Sequence, residues 1–326
     1  MKTQAIGTSG LVSSRIICGV MRIGRAWQAA GKTEADQQAA ATDLVLRAVD
    51  LGINHFDTAD IYGSGRSDEL LGAALKARPG LRQKVIVTTK CCIRRLGEPK
   101  LGSGEWYDMS GQYVRDSVDA ALQRLGTDYI DIFLMHRPDL LVEPAELAAA
   151  FDDVFAAGKV RHFGVSNFFP NQVSLLAASL SRPLVANQVP LHPLDVDRFY
   201  DGTMEQCQLE RITPTAYSPV AGGAFGTGGK VGEAHPRPVE AGQVIEIFDA
   251  MAEKYAVTRT QITLAWLLRH PAGICPIIGT TRPERVAESV GADAVEISRE
   301  DWHRLTNAAR CYAGYVPMTG SKHTRK

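Results

Sequence analysis

Four polar residues in the first half of the chain have side chains that together could protonate a carbonyl group: Asp57, Tyr62, Lys90 and His136. A tyrosine hydroxyl has an ordinary pKa of about 10. A nearby ammonium group favours the phenolate and lowers that pKa. Lys90 would supply this charge, and Asp57 would offset the unfavourable burial of a lysine. His136 would orient the carbonyl through a hydrogen bond.

Asp57, Lys90 and His136 each close a strand-like run, and Tyr62 follows in the loop after the first run. Taken singly, each also fits an ordinary role, as a surface lysine, a loop tyrosine or a structural histidine. In a barrel of alternating strands and helices, however, catalytic groups come from the C-terminal ends of several strands. Their order on three successive strands therefore indicates carbonyl reduction. A nicotinamide would supply the hydride, because no protein side chain carries one.

Short β-branched runs alternate with amphipathic helical stretches along the chain. Strands are expected at 16–19, 53–57, 85–89, 129–135, 160–166, 184–189, 214–217 and 274–279. Helices are expected at 35–51, 67–77 with Ser67 as N-cap, 111–126, 144–158, 172–180, 203–211, 241–255, 260–268, 284–290 and 298–310. Alternation with a period of roughly 30 residues predicts a parallel sheet. Eight such units fit a closed (β/α)₈ barrel better than an open sheet.

The remaining segments are expected to complete this barrel. Residues 4–12 resemble a small β-hairpin across the barrel floor, and helical sequence continues past the last repeat. No linker of distinct composition divides the chain, which predicts a single domain over 1–326 with a mobile tail after about residue 315. The long loops at 91–110 and 219–240 are expected to shape access for a substrate.

Bulk composition excludes several classes of partner. The 326 residues include 36 basic and 36 acidic side chains, so no net charge directs the chain to nucleic acid or to an anionic membrane. The N-terminus does not resemble a signal peptide, and no apolar run reaches the roughly 18 residues of a membrane span. Six scattered cysteines show no metal-ligand spacing. We therefore expect a cytoplasmic protein without a bound metal.

The segment Asp57-Thr58-Ala59-Asp60-Ile61-Tyr62-Gly63 resembles the aldo-keto reductase motif that carries the catalytic Asp and Tyr. Residues 89–90, 134–139 and 158–168 resemble further blocks of that superfamily, in the same order, and the likeness covers about 4–312. Its form is that of the bacterial oxidoreductases of the superfamily. The resemblance implies a (β/α)₈ barrel that binds NADPH without a Rossmann fold, and the chain indeed lacks a G-x-G-x-x-G between a strand and a helix.

The resemblance also implies where the cofactor would lie. Ser166, Asn167 and Gln188 would bind the nicotinamide carboxamide, and Tyr217 would stack on the ring. Glycines after Tyr217 would let backbone amides approach the pyrophosphate. The remaining expected cofactor contacts are Gly19, Val20, Met21, Ser218, Pro219, Gly222, Gly279, Thr280, Thr281, Arg282, Arg285, Glu288 and Ser289.

The segment 279–289 is expected to bind the adenosine end. A helix that starts at Pro283 leaves free amides for an anion, and Arg282 and Arg285 add charge suited to a 2′-phosphate. This favours NADPH over NADH. Two residues depart from the family pattern: Gly279 replaces a lysine that binds phosphate in many relatives, and Ser289 replaces the usual amide.

The substrate is the least determined part of this interpretation. The candidate pocket walls are Arg22, Trp27, Trp106, Tyr107 and Phe225. They do not choose among a sugar, a ketone, a glyoxal and an aromatic aldehyde. The sequence also leaves open whether the protein is a monomer or a homo-oligomer.

We therefore expect an NADPH-dependent reductase of a small carbonyl substrate, with Tyr62 as the proton donor. Two alternatives remain open. One is an NADPH-binding regulatory subunit or sensor with little turnover. The other is a lyase that uses Lys90 as a Schiff-base nucleophile, although pairing of Lys90 with Asp57 would argue against it.

Overall fold

A computed structural model describes residues 1–24, 33–95 and 105–314 of the chain. Trp27 and the tail after residue 314 lie outside these ranges. The strands, in chain order, are β1 (Thr3–Ala5), β2 (Val12–Ser14), β3 (Ile17–Gly19), β4 (His55–Asp57), β5 (Ile86–Cys91), β6 (Ile93–Arg95), β7 (Glu105–Tyr107), β8 (Ile130–Met135), β9 (Val160–Ser166), β10 (Leu184–Pro190), β11 (Thr213–Tyr217) and β12 (Cys275–Ile278).

The α-helices of the described ranges cover the outside of this sheet. They are α1 (Glu34–Asp50), α2 (Arg66–Lys76), α3 (Gly111–Leu125), α4 (Pro144–Ala156), α5 (Pro170–Ala177), α6 (Thr203–Glu210), α7 (Pro238–Lys254), α8 (Arg259–Leu268), α9 (Pro283–Val290) and α10 (Arg299–Ala313). The amphipathic periods in the sequence predicted each of these helices to within a few residues.

Eight parallel strands close into a barrel in the order β3-β4-β5-β8-β9-β10-β11-β12, with β12 pairing back to β3. The predicted (β/α)₈ barrel is thus confirmed. The hairpin β1–β2 forms a separate antiparallel pair, as expected, and a second antiparallel pair, β6–β7, stands in the long loop after β5. None of the helices in the described part is both long and apolar enough to cross a membrane.

Apolar side chains fill the space between the strands and the helices. Phe151 and Phe163 stack with ring centroids 4.0 Å apart, which locks α4 onto β9. Gly72 allows α2 to approach α3 closely, because a Cβ at this position would lie 2.2 Å from the carbonyl oxygen of Leu125. These contacts hold the helices in place against the strands and against each other. They therefore also position the strand ends from which the loops begin.

The start of α2 differs from the prediction. Ser67 does not cap this helix, which begins one residue earlier with Gly65 as N-cap at φ +92°. The preceding Gly63 also has a positive φ, of +59°. This tight turn, which follows Tyr62 directly, requires a left-handed backbone at both glycines, and it places Ser67 inside the helix.

The strand register aligns the polar residues at one end of the barrel. Asp57 pairs with Gly19 on one side and with Thr88 on the other. Farther around the barrel, Ser166 pairs with Gln188. Because all eight strands run parallel, their C-terminal ends lie on the same rim, and the residues that follow them converge on one opening.

Candidate active site

Lys90 lies fully inside the barrel and is held as a cation. Its Nζ donates to Asp57 Oδ1 at 2.8 Å and to the carbonyl oxygen of Thr58 at 2.6 Å. The other carboxylate oxygen of Asp57 accepts from Gln188 Nε2 at 2.7 Å. Burial by itself would lower the pKa of Lys90, but the charges of Asp57 and Tyr62 outweigh burial, and the pKa is raised. Lys90 is therefore a buried ammonium group.

Tyr62 lies over this ammonium group, with Lys90 Nζ 5.0 Å from the centroid of its ring. Burial raises the pKa of the hydroxyl, and this effect exceeds the lowering by Lys90. The net direction is opposite to the lowered pKa that the sequence predicted, because burial of the hydroxyl outweighs the effect of the ammonium group. The hydroxyl thus keeps its proton at neutral pH, and Lys90 is placed to stabilise the phenolate that proton donation would form.

His136 packs edge-on against Tyr62, with ring centroids 5.8 Å apart. Its Nδ1 is buried and has no hydrogen-bond partner among the described residues. Burial, together with the charges of Lys90 and Arg137, holds the pKa of His136 well below its usual range. The ring is therefore neutral at physiological pH.

A hydrogen-bonded row of amide and hydroxyl groups continues the wall from His136. Asn167 Nδ2 donates to the carbonyl oxygen of His136 at 3.1 Å and to Ser166 Oγ at 2.9 Å, and Tyr217 donates to Asn167 Oδ1 at 2.9 Å. Asn167 itself has a positive φ of +67°. A backbone conformation that is rare for a non-glycine residue is thus held here by side-chain bonds.

A single cleft of about 520 Å³ joins these groups to the start of α9. Of the expected cofactor contacts, all except Val20 line it. Val20 is fully buried beneath the rim. The lining residues are Gly19, Met21, Arg22, Asp57, Ile61, Tyr62, Ile93, Glu105, His136, Arg137, Ser166, Asn167, Gln188, Tyr217, Ser218, Pro219, Val220, Gly222, Gly223, Gly226, Thr260, Ile277, Ile278, Gly279, Thr280, Thr281, Arg282, Arg285, Glu288 and Ser289.

The far end of the cleft is formed by the first turn of α9. Pro283 stands in this turn, no side chain caps it, and the amide of Arg285 donates to the carbonyl oxygen of Arg282 at 3.0 Å. Arg282 Nε pairs with Glu284 at 2.6 Å, and both side chains are exposed. Thr227 lies in the long loop 219–240, called the glycine-rich loop below, and donates to the carboxylate of Glu288. Ser289 Oγ donates back to the carbonyl oxygen of Arg285 at 2.8 Å.

Several expected pocket walls are placed elsewhere. Phe225 is fully buried and packs edge-on against Phe248, so it anchors the glycine-rich loop and does not line the cleft. Trp106 lies under the guanidinium of Arg94, and neither Trp106 nor Tyr107 lines the cleft. Arg22 does line it. Trp27 lies outside the described residues.

The structure adds cleft residues that the sequence analysis missed. Arg137 and Glu105 bring charge to the catalytic end, while Ile61 and Ile93 bring apolar surface. Arg137 directly follows His136, and that adjacency was the available signal. No group of three or more His, Cys, Asp or Glu side chains in the described ranges is arranged to hold a metal ion.

Comparison with known families agrees with this geometry. The model of the Aldo/keto reductase family matches residues 15–310. The chain belongs to the aldo/keto reductase family. Membership makes it an oxidoreductase that acts on carbonyl groups, with a nicotinamide cofactor.

Individual aldo/keto reductases resemble the chain along nearly its whole length. A 6-dehydroglucose reductase from Novosphingobium aromaticivorans is 39% identical, covering 94% of this chain and 95% of the relative. A 6-dehydroglucose reductase from Agrobacterium fabrum is 36% identical, covering 91% and 94%. The structure of a glycerol dehydrogenase from Gluconobacter oxydans superposes with a TM-score of 0.81, covering 99% of both chains at 23% identity, which supports the fold alone.

Proposed function

We propose that this chain reduces an aldehyde or ketone to an alcohol with NADPH, and that Tyr62 donates the proton. The observation that carries the proposal is the buried Asp57–Lys90 pair, with its 2.8 Å hydrogen bond, directly under the ring of Tyr62. A nicotinamide bound in the cleft would supply the hydride to the carbonyl carbon. Every other group that the reaction needs belongs to this chain.

The proton transfer follows from the charges around Tyr62. The hydroxyl, with its raised pKa, keeps its proton until a carbonyl oxygen gains negative charge. The proton then passes to that oxygen, and Lys90 stabilises the tyrosinate left behind, because an ammonium close to a developing anion is worth more in a site that excludes water. Neutral His136 would hold the carbonyl oxygen beside Tyr62 with its ring N–H. Solvent later returns the proton to Tyr62.

The state of Lys90 disfavours the lyase alternative. A Schiff-base lysine needs a free, neutral amine. Lys90 has a raised pKa, and two protein oxygens accept hydrogen bonds from its Nζ. It is also only 1% exposed. These features suit an electrostatic role, and they disfavour attack by Lys90 on a substrate carbonyl.

The groups at the far end of the cleft suit a phosphorylated dinucleotide. The N-terminal turn of α9 lies at this end, and Arg285, which lines the cleft, forms none of the ion pairs found among the described residues. Gly222 and Gly223, with φ values of +67° and +115°, would let backbone amides approach the pyrophosphate. A 2′-phosphate beside Arg285 would favour NADPH over NADH.

The substrate proposed here is a small, hydrophilic carbonyl compound. Arg22, Glu105 and Arg137 line the cleft, so its wall carries charge and suits a hydrophilic substrate better than an aromatic one. The relatives named 6-dehydroglucose reductase also support a small hydrophilic substrate.

Two experiments test the proposal. NADPH is titrated with the protein while its nicotinamide fluorescence is recorded. We expect tight binding of NADPH and, in a parallel titration, weaker binding of NADH. A small-aldehyde screen should then give turnover that Tyr62→Phe abolishes while NADPH binding is kept. A fully active Tyr62→Phe variant would disprove the proton-donor role. Tight NADPH binding with negligible turnover on every carbonyl would favour a sensor.

A further inference from the structure

Arg137 stands at the substrate end of the cleft, and its backbone position is fixed. It follows His136 directly and lines the cleft. Its amide donates to Cys92 Sγ at 3.3 Å, and the thiol of Cys92 donates to the carbonyl oxygen of Arg137 at 3.1 Å. These two bonds clamp the main chain just beyond β8. The position of the Arg137 backbone, from which the side chain extends, is therefore fixed by the barrel.

The positive charge of Arg137 faces the catalytic groups. It contributes to the lowered pKa of His136, after burial and Lys90. Burial raises the pKa of Tyr217, and the charge and hydrogen-bonding reach of the Arg137 guanidinium oppose this increase. Arg137, His136 and Tyr217 all line the same cleft. This is the wall against which the body of a substrate must rest when its carbonyl oxygen meets Tyr62.

Most shielded arginines in the described part of the chain are paired with carboxylates, although Arg285 and Arg310 are half-buried and, like Arg137, form none of the ion pairs found there. Arg82, Arg124, Arg198 and Arg259 have side chains 12%, 22%, 10% and 7% exposed, and each lies 2.8–2.9 Å from an Asp oxygen. Half-buried Arg137 belongs to none of the ion pairs among the described residues. A guanidinium that is withdrawn from water without a counter-ion leaves donors open to a ligand.

We propose that Arg137 binds a carboxylate of the substrate, and that the enzyme selects aldehydes or ketones that also carry a carboxylate. A planar guanidinium matches a carboxylate through two parallel hydrogen bonds, which an ammonium cannot reproduce. Because Arg137 and His136 line the same cleft, one small substrate could present its carbonyl group to His136 and its carboxylate to Arg137. This inference rests on the proposed function and adds a substrate class to it.

The test compares three aldehydes of similar size: 4-oxobutanoate, butanal and glyceraldehyde. The intact enzyme should have a higher kcat/KM for 4-oxobutanoate than for either neutral aldehyde. Arg137→Met should lower kcat/KM for 4-oxobutanoate by about 30- to 100-fold, mainly through KM, as expected for loss of a charge-assisted pair. The values for butanal and glyceraldehyde should change by less than about threefold.

Two further variants act as controls. Arg137→Lys keeps the positive charge but loses the planar guanidinium that makes two parallel hydrogen bonds. It should therefore recover only part of the lost kcat/KM. Arg47→Met removes an arginine whose side chain is 62% exposed on α1 and should leave the preference for 4-oxobutanoate unchanged. NADPH titration of each variant should match the parent, which excludes a general defect of the cleft.

An equal fall of kcat/KM for 4-oxobutanoate and butanal in Arg137→Met would overturn the carboxylate assignment, as would a parent enzyme that prefers butanal. A loss confined to glyceraldehyde would also overturn it, because it would assign Arg137 to hydroxyl groups. Absence of turnover with all three aldehydes, in a protein that binds NADPH, would instead contradict the reductase proposal.

Discussion

The two ends of the cleft use charge in opposite ways. At the catalytic end, Lys90 and Asp57 have side chains only 0% and 6% exposed, and they meet at 2.8 Å. At the far end, Arg282 and Glu284 meet at 2.6 Å, but their side chains are 60% and 62% exposed. Water screens the second pair and not the first. The buried pair can therefore determine the reaction, whereas the exposed charges can only adjust which cofactor binds.

The largest test of this comparison is Lys90→Met. Without the ammonium group, the tyrosinate that follows proton donation loses its stabilising charge, and kcat should fall by about 10³-fold or more. Asp57 would keep only its bond from Gln188, so a buried unpaired carboxylate should also lower the free energy of unfolding by about 3–5 kcal/mol. Steady-state kinetics and urea unfolding measure the two effects.

NADPH fluorescence titration serves as the control for Lys90→Met. Lys90 does not line the cleft, so cofactor binding should survive if the variant folds. A variant that retains kcat within threefold of the parent would show that the buried pair does not drive the chemistry, and the contrast between the two ends would lose its basis.

A second test compares two carboxylates at the catalytic end, those of Asp57 and Asp60, which are three residues apart in the sequence. Both oxygens of Asp57 are bonded, but Asp60 Oδ1 is buried with no hydrogen-bond partner among the described residues. Burial raises the pKa of Asp60 from 3.8 to about 7. Between these pH values the folded protein holds a proton that the unfolded chain releases, so stability falls as the pH rises from about 4 to about 7.

Replacement of Asp60 by Asn fixes the neutral form and should remove this pH-dependent loss. The free energies of unfolding of parent and Asp60→Asn should differ little near pH 4. By pH 8 the variant should be more stable by about 1–3 kcal/mol, once partial exposure is allowed for. Urea unfolding at both pH values measures this. A difference that is the same at both pH values would contradict it, and the exposed Glu246→Gln variant provides the baseline.

The barrel, and the convergence of the candidate catalytic residues at one end of it, were predictable because they depend on local sequence. A strand-like run ends at each of Asp57, Lys90 and His136, so the local sequence specifies both the strand and its last residues. Parallel pairing then brings these strand ends to one rim of the barrel. Pro283 likewise marks the start of α9.

Other features depend on long-range packing that a single sequence does not display. Phe225 lies among glycines, as a loop residue would, yet Phe248 from a helix 23 positions later completes its burial. Arg137 stands out only once the ion pairs among the described residues are seen in three dimensions, because it belongs to none of them. The raised pKa of Tyr62 depends on how deeply the folded chain buries its hydroxyl, and the identities of Tyr62 and Lys90 do not determine that.

At the far end of the cleft, Arg285→Ala should have a moderate effect. Arg285 lines the cleft and forms none of the described ion pairs, so it is available to a 2′-phosphate. We expect its loss to weaken NADPH binding by about 10-fold and to leave NADH binding within twofold. Parallel fluorescence titrations measure both affinities. An equal loss for the two cofactors would assign Arg285 to the pyrophosphate or to the helix itself.

The smallest effect should come from Glu284→Ala, which frees Arg282 from its exposed partner. A freed guanidinium could approach the 2′-phosphate, but pairing in water holds it only weakly, so NADPH should bind no more than about twofold more tightly at low ionic strength. The gain should vanish at 0.5 M salt, where charges separated by more than about 4 Å are screened. A tenfold gain, or one that persists in salt, would show that the exposed pair restrains cofactor choice strongly. The two ends of the cleft would then differ in the groups they hold, and not in the strength of their electrostatic interactions.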